Sequence, residues 1–489
     1  MLQIKGENIY MPFESDIQIV TKSLTEFKND SLSGEKQVIN QKKLQNIISD
    51  LDLENYAVNG GLTGKSLELF LNKYLSYSTR LHHPAYLGHQ CAAPHYASAL
   101  GALVNGFINN VPSVYEMGPA SSSIEYFIIN WMLEKIGWKK APVDINSDYH
   151  DLDFGGGVLV DGGSVANLTA LTIARSKVAP EVWEKGSPSN LAILLPRVSH
   201  YSLEKAAGIL GIGKESIYLL EIDRKGAIIP GKLPEVYNRL IDDGKIPIAL
   251  AANACSTAVG IYDPLEEIAD FCIENKVWFH VDGAHGASAL ISEKHKGLLK
   301  GIEKADSLIW DAHKLLQTPS LCAALLVRDH KYLDKCFPQE ASYLFHEKVQ
   351  PGFDFIHRTI ETTRAGLAEK LFFVLAAIGE KGLAKFINNQ YQLAQDVYNY
   401  INNLNDFECP VRPESNILCF KIHGDDKTQM EIRNRLIIEG SYYFTTAKFN
   451  NERFLRLVFM SPNTTLQHIK KLISRIREIN SSITSTKFF

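Results

Sequence analysis

Two side chains carry the first chemical suggestion. Lys314 stands in WDAHKLLQTP (310–319), between a histidine and a short apolar run, just after the strand-like SLIW. An amine that is to react with a carbonyl must be neutral, and burial against apolar residues disfavours its ammonium form. Asp282 stands in VWFHVDGAHGASAL (277–290), at the carboxyl end of an apolar run and before a glycine-rich turn, and Lys314 follows 32 residues further on, from 282 to 314. A strand–crossover–strand unit of that length is right-handed and parallel, so both residues emerge at the same edge of a sheet. Open α/β sheets bind their ligands at that edge. A lysine to condense with an aldehyde and a carboxylate to keep a pyridine nitrogen protonated are what pyridoxal 5′-phosphate requires of a protein.

Such a cofactor also needs a seat for its phosphate. DGGSVANLTALTIARS (161–176) offers one: Gly162 and Gly163 allow close backbone approach, and Ser164 adds a hydroxyl at the start of a helix, whose free N–H groups and dipole favour anions. RVSHYSLEKAAGILGIG (197–213) places His200 after another strand, where an imidazole can stack on the ring, and NACSTAVG (253–260) places Ser256 and Thr257 at a further strand end. Each of these alone reads equally as an ordinary turn or helix start. Together they lie at strand ends of one α/β unit.

The elements that must position them are legible. From 155 to 330, GVLVDGG, LAILLP, IPIALAANA, KVWFHVD and DSLIWD alternate with helical stretches. Short apolar runs alternating with helices predict a mainly parallel sheet covered on both faces. Residues 1–75 read as mostly helical, and a long helix is predicted from AGLAEKLFFVLAAIGEKGLAKF. Beyond it, NILCFKI, TQMEIRNRLIIEG, YFTTAKF, FLRLVF and TTLQHIKKLISRIREI predict a smaller α+β unit. The expected division is an N-terminal helical segment (1–80), to which the family resemblance described below assigns dimerisation, a large cofactor-binding domain (81–370) and a small C-terminal domain (371–489).

Composition narrows the class. The 489 residues hold 51 Lys and Arg against 55 Asp and Glu, a formal net charge of −4, so no nucleic-acid or membrane-surface partner is expected. No stretch has the roughly 18 apolar residues of a membrane span, and the polar start MLQIKGENIYMPFESD lacks a signal-peptide core. Seven cysteines without a CxxC pair fit reduced thiols in the cytoplasm. The sequons at Asn167, Asn463 and Asn480 are then accidental. GGLTGKS (60–66) has three residues between Gly60 and Gly64 where a phosphate loop needs four. His82, His83, His89, Cys91 and His95 lack the spacing of a structural zinc site, and no metal is expected.

The residues resemble the group II pyridoxal-phosphate-dependent amino-acid decarboxylases. GGSVANLTALTIAR, HVDGAHG, ADSLIWDAHK and LRLVFMSPNTT look like that family's motifs in the expected order, and the resemblance runs from about residue 80 to 475. YEMGPASSSIE (115–125) looks most like the branch acting on acidic substrates. The resemblance implies a fold-type-I, aspartate-aminotransferase-like homodimer that converts an amino acid into the amine and CO2. It implies Lys314 as the covalent lysine with His313 beside it, Asp282 at the pyridine nitrogen, Ala284 against the ring and His200 stacked on it. It implies Gly163 and Ser164 at the phosphate, Thr257 near the cofactor, and Arg456 at a substrate carboxylate, a task that suits its guanidinium fork. His89 and Gln90 would contact the substrate side chain.

The sequence also departs from the family. Its relatives carry a catalytic tyrosine on a loop matching HEKVQPGFDFIHRTIETTR (346–364), which here contains none. Phe353 and Phe355 stand nearest, expected at the substrate, with His357 close by. A phenyl ring donates no proton, so either another donor serves, or the product is the aldehyde of an oxygen-consuming decarboxylation–deamination. Diamino and aromatic substrates stay open, as does a cofactor-binding protein without turnover. Cys255 replaces a glycine usual in the family.

Overall fold

The computed structural model describes residues 13–145, 149–337 and 352–486. The chain divides into two compact units. The first comprises Met1–His89, Leu404–Glu408 and Phe420–Phe489, and the second Gln90–Asn403 with Cys409–Cys419. The boundary expected near residue 370 does not separate them: the long helix, Ala368–Asn402, stays with the larger unit, and both ends of the chain share the smaller one.

The larger unit is built on a seven-stranded sheet: β1 (Gly156–Val160), β2 (Leu191–Pro196), β3 (Ile217–Leu220), β4 (Ile246–Asn253), β5 (Trp278–Asp282), β6 (Ser307–Asp311) and β7 (Ala323–Val327), in the spatial order β1-β7-β6-β5-β4-β2-β3. Every residue of β1, β2, β5, β6 and β7 is buried, as strands covered on both faces must be. The strands from β3 across to β6 pair in parallel. The exception is β7, which runs antiparallel to both β6 and β1. Its cause is local. Residues 312–322 join β6 to β7 without a helix, and a parallel return needs a crossover of a dozen or more residues, usually helical. Lys314 sits in that short reversal. This is the α/β, mainly parallel architecture the alternation predicted; β3 and β7 were not anticipated.

The smaller sheet has four strands, β8 (Phe407–Glu408), β9 (Ile417–Ile422), β10 (Thr445–Phe449) and β11 (Glu452–Val458), in the order β10-β11-β9-β8. The helices Asp426–Glu439 and Leu466–Thr486 follow the predicted pattern. Asp425 caps the first by accepting the backbone N–H of Thr428 at 2.8 Å. Among the described residues no helix is long and apolar enough to cross a membrane.

Candidate active site

The carboxyl ends of β1, β2, β4, β5 and β6 surround one cavity of about 240 Å³. Asp282 ends β5, and Ala284 follows it in the next turn. Lys314 and His313 lie just past β6, His200 past β2, and Thr257 past β4. Gly163 and Ser164 open the helix Gly163–Val178 that follows β1. All eight line the cavity, and Gln90 completes the set of expected residues found there.

At the head of that helix Gly162 has φ +95°, a conformation that side chains resist. A Cβ on Gly163 would lie 2.9 Å from Asp311 Oδ2, so only glycine fits without displacement. At a helix start the first N–H groups lack intrahelical acceptors; here the Val165 N–H turns back to the Gly162 carbonyl oxygen at 3.1 Å, which leaves those of Gly163 and Ser164. The same Asp311 Oδ2 lies 3.3 Å from Lys314 Nζ, and the lysine side chain is 19% exposed. The apolar run expected around the lysine therefore comes with a carboxylate, placed three residues earlier by the chain reversal. His313 Nδ1 donates to the Cys322 carbonyl oxygen at 2.9 Å, which fixes its ring across the same reversal.

Asp282 is held from two sides. Oδ1 accepts from the Ala284 backbone N–H at 3.2 Å, and Oδ2 accepts from Asn167 Nδ2 at 3.1 Å. His200 Nδ1 lies 2.7 Å from Ser202 Oγ. Burial pushes the His200 imidazole below its ordinary value; the Asp282 and Asp311 carboxylates act against that shift, and the Lys314 charge adds to it. Cys255, also in the wall, is a neutral thiol: burial pushes it up to about 12. Asn167, Cys255 and Asp311 join the cavity without having been expected as site residues. The signal for Asn167 was its place one turn into the helix after Gly163, where its side chain turns back to the same strand ends.

A primary amine, a paired carboxylate, an imidazole and a glycine-opened helix start, around one cavity, are the donor set that pyridoxal phosphate needs. The family profile described as the pyridoxal-dependent decarboxylase conserved domain matches residues 71–423. The chain belongs to this family. The decarboxylase is 32% identical over 450 residues to the human acidic amino acid decarboxylase GADL1, covering 87% of this chain and 83% of that protein. It is 29% identical over 396 residues to mouse cysteine sulfinic acid decarboxylase, covering 79% and 76%. The crystal structure of mouse CSAD superposes with a TM-score of 0.87 at 25% identity, over 96% of this chain and 98% of that one. The fold is thus that of the pyridoxal-phosphate decarboxylases, and the cofactor is pyridoxal phosphate.

The remaining expected residues are not among those lining this cavity. Phe353 and Phe355 do not line the cavity. Phe355 is fully buried in the core of the larger unit, and Phe353 packs against Tyr126, at 5.2 Å between centroids, and under the Arg358 guanidinium at 4.4 Å. Neither ring is therefore found at this cavity: Phe353 packs under Arg358, and Phe355 under the Arg364 guanidinium at 5.2 Å. Their loop's residues 346–351 lie outside the described residues. Arg456 and His89 belong to the smaller unit. Arg456 is 6% exposed on β11 and donates to the Gly88 carbonyl oxygen at 3.4 Å, and the exposed His89 ring meets Tyr443 edge-on. Among the described residues no group of three or more His, Cys, Asp or Glu is placed to hold a metal.

Proposed function

We propose that this decarboxylase acts on an acidic L-amino acid, releasing CO2 and the corresponding amine. The observation that carries the reading is the single cavity joining Lys314, Asp282, His200 and the helix start at Gly163. Bound pyridoxal phosphate supplies an electron sink for the substrate's α-carbon. Lys314 would bind the cofactor's aldehyde carbon, Asp282 would keep the pyridine nitrogen protonated, and His200 would cover the ring. Gly163, Ser164 and Thr257 hold the polar end of the cofactor, with Ala284 and His313 as walls. Arg456, His89 and Gln90 are assigned to the substrate. An acidic substrate is supported by the likeness to relatives named for acidic amino acid and cysteine sulfinic acid, and by the fit of the Arg456 guanidinium to a second carboxylate.

The assembly is assigned as a homodimer in the cytoplasm. The helix Tyr96–Ile108 supports the dimer: Tyr96 and Phe107 are 65% and 64% exposed and Leu100 and Leu103 nearly half, a face that a second copy would cover. The odd number of cysteines without a CxxC pair supports a reducing compartment.

A second reading is favoured by the tyrosine-free stretch 346–364, in which Phe353 and Phe355 stand nearest to the position of the family's tyrosine. Without that hydroxyl, an amino acid, O2 and water would give the aldehyde, CO2, ammonia and hydrogen peroxide. Incubating the cofactor-loaded protein with glutamate, aspartate, cysteine sulfinate, diaminobutyrate and aromatic amino acids, with mass spectrometry and oxygen uptake in parallel, decides between them. An amine one CO2 lighter without oxygen consumption supports the first reading; an aldehyde with oxygen consumption replaces it by the second.

A further inference from the structure

Asn167 is hydrogen-bonded to the side chains of His280, Asp282 and Ser202, and the directions of these bonds can be derived. Trp278, His280 and Asp282 alternate along β5 and so share one face. The Trp278 Nε1–H can only donate, and it donates to Ser307 Oγ at 2.8 Å. The Ser307 hydroxyl is then free to donate to His280 Nδ1, also at 2.8 Å. His280 is fully buried, and burial lowers its imidazole to about 4, so it is neutral and carries its proton on Nε2. That N–H donates to Asn167 Oδ1 at 2.8 Å. The amide nitrogen gives one hydrogen to Asp282 Oδ2 at 3.1 Å and the other to Ser202 Oγ at 2.9 Å. The Ser202 hydroxyl donates onward to His200 Nδ1 at 2.7 Å, and the Ser202 backbone N–H points at the same nitrogen at 3.3 Å. Reversing a link up to the Asn167 amide would make the indole accept, or set an amide oxygen against the Asp282 carboxylate; at the last link it is the Ser202 backbone N–H, which can only donate, that requires His200 Nδ1 to accept.

We propose that Asn167 is a positioning residue that orients the Asp282 carboxylate and, through Ser202, holds His200 with its proton on Nε2, so that His200 offers the cavity a donor and not a base. The inference rests on the cofactor site described above and assigns His200 its partner class: an anionic oxygen, such as a substrate carboxylate, beside the ring. The charged groups acting on His200 are Asp282, Asp311, Lys314 and Lys205. The two carboxylates favour a second proton on the ring and the two lysines oppose it; burial outweighs the carboxylates.

The test reads the ring nitrogens directly. Full-length protein carrying 15N-histidine, with and without pyridoxal phosphate, is examined by long-range proton–nitrogen correlation between roughly pH 6 and 8, with the His200 signals assigned by their loss in His200→Gln. A protonated Nε2 and an accepting Nδ1 are expected; a protonated Nδ1, or two averaged tautomers, overturns the proposal. Asn167→Leu and Asn167→Asp are expected to average the His200 signals and to weaken cofactor binding by roughly tenfold, the scale of one hydrogen bond to a charged group. Unchanged signals and affinity in either folded variant overturn it. If neither variant folds, the wild-type tautomer decides. Wild-type cofactor binding, titrated on the same sample, separates the outcomes: no binding overturns the site, whereas binding with the wrong tautomer overturns only the role of Asn167.

Discussion

Gly163 and Asp311 close on each other at the head of the helix behind β1, where an ideal Cβ on the glycine would stand 2.9 Å from the carboxylate oxygen. The same oxygen lies 3.3 Å from Lys314 Nζ. The helix start and the lysine, the two points proposed to anchor the cofactor, thus lie against a common residue. Gly163→Ala is expected to displace Asp311 and to weaken pyridoxal-phosphate binding by about tenfold, with little loss of fold because the contact is with a side chain. Equilibrium titration of cofactor absorbance checks this. An affinity equal to wild type would mean that Asp311 moves aside at no cost.

Lys314→Ala should remove the visible absorbance of lysine-bound cofactor and lower turnover by roughly 10^3- to 10^6-fold, the range seen when a covalent group is deleted. Asp311→Asn, which keeps the shape and removes the charge beside Nζ, should retain the absorbance but move its pH midpoint. A midpoint identical to wild type would count against any electrostatic role of Asp311.

Arg358 is 2% exposed, and its Nε donates to Asp334 Oδ1 at 2.7 Å while Nη2 reaches Tyr149 Oη at 2.8 Å. Burial would push the Asp334 carboxyl up, but Arg358 and His330 outweigh it and hold it at about 2. Its folded value lies below the unfolded one, so this stabilisation is present above about pH 4 and lost as the pH falls toward 2. Arg358→Leu leaves Asp334 buried without its main partner and is expected to cost about 3–5 kcal/mol. Adding Asp334→Leu should restore part of that loss. Chemical denaturation of both variants is the check, and a silent single substitution would refute it.

His280 titrates at about 4 in the folded chain because it is buried. Unfolded, it takes a proton near pH 6.5. The unfolded state therefore binds more protons between these values, and stability declines as pH falls from 6.5 to 4. One proton contributes a slope of about 1.4 kcal/mol per pH unit. His280→Gln should make the measured slope shallower by that amount in this window, and an unchanged slope would place the titration on other groups.

Phe353→Tyr tests the tyrosine-free segment. If the second reading of the product holds, the new hydroxyl should shift the balance from aldehyde toward amine, read by mass spectrometry and oxygen uptake. An unaltered product ratio would confine Phe353 to its packing between Tyr126 and Arg358.

The α/β class was readable because its evidence is periodic: LAILLP or VWFHVD can hardly be other than a buried strand when flanked by helices. Lys314, Asp282, His200 and Gly163 were readable because each follows such a strand, and strand ends converge on one edge. Asn167, Ser202 and His280 were not, since their importance lies in hydrogen bonds between a helix and two strand ends far apart in sequence, with no local signature; Asn167 read only as a chance sequon. The packing of Phe353 and Phe355 was hidden for a related reason: their resemblance to a catalytic position is local, whereas their contacts with Arg358 and Arg364 are tertiary. The strand AALLV was missed because a short reversal, not a helix, precedes it.

That reversal has a consequence for how the site comes into being. In the sheet β1 has a single neighbour, β7, whose register pairs Gly156 with Val327 and Val160 with Ala323. As the chain leaves the ribosome, β1 emerges early but has nothing to pair with until the segment just beyond Lys314 is made. The strand that leads into the helix start proposed to seat the phosphate is therefore paired only once the chain has passed the lysine. A nascent or truncated chain ending before residue 323 holds neither half of the site in working order, so cofactor capture becomes a report on completed synthesis of the sheet.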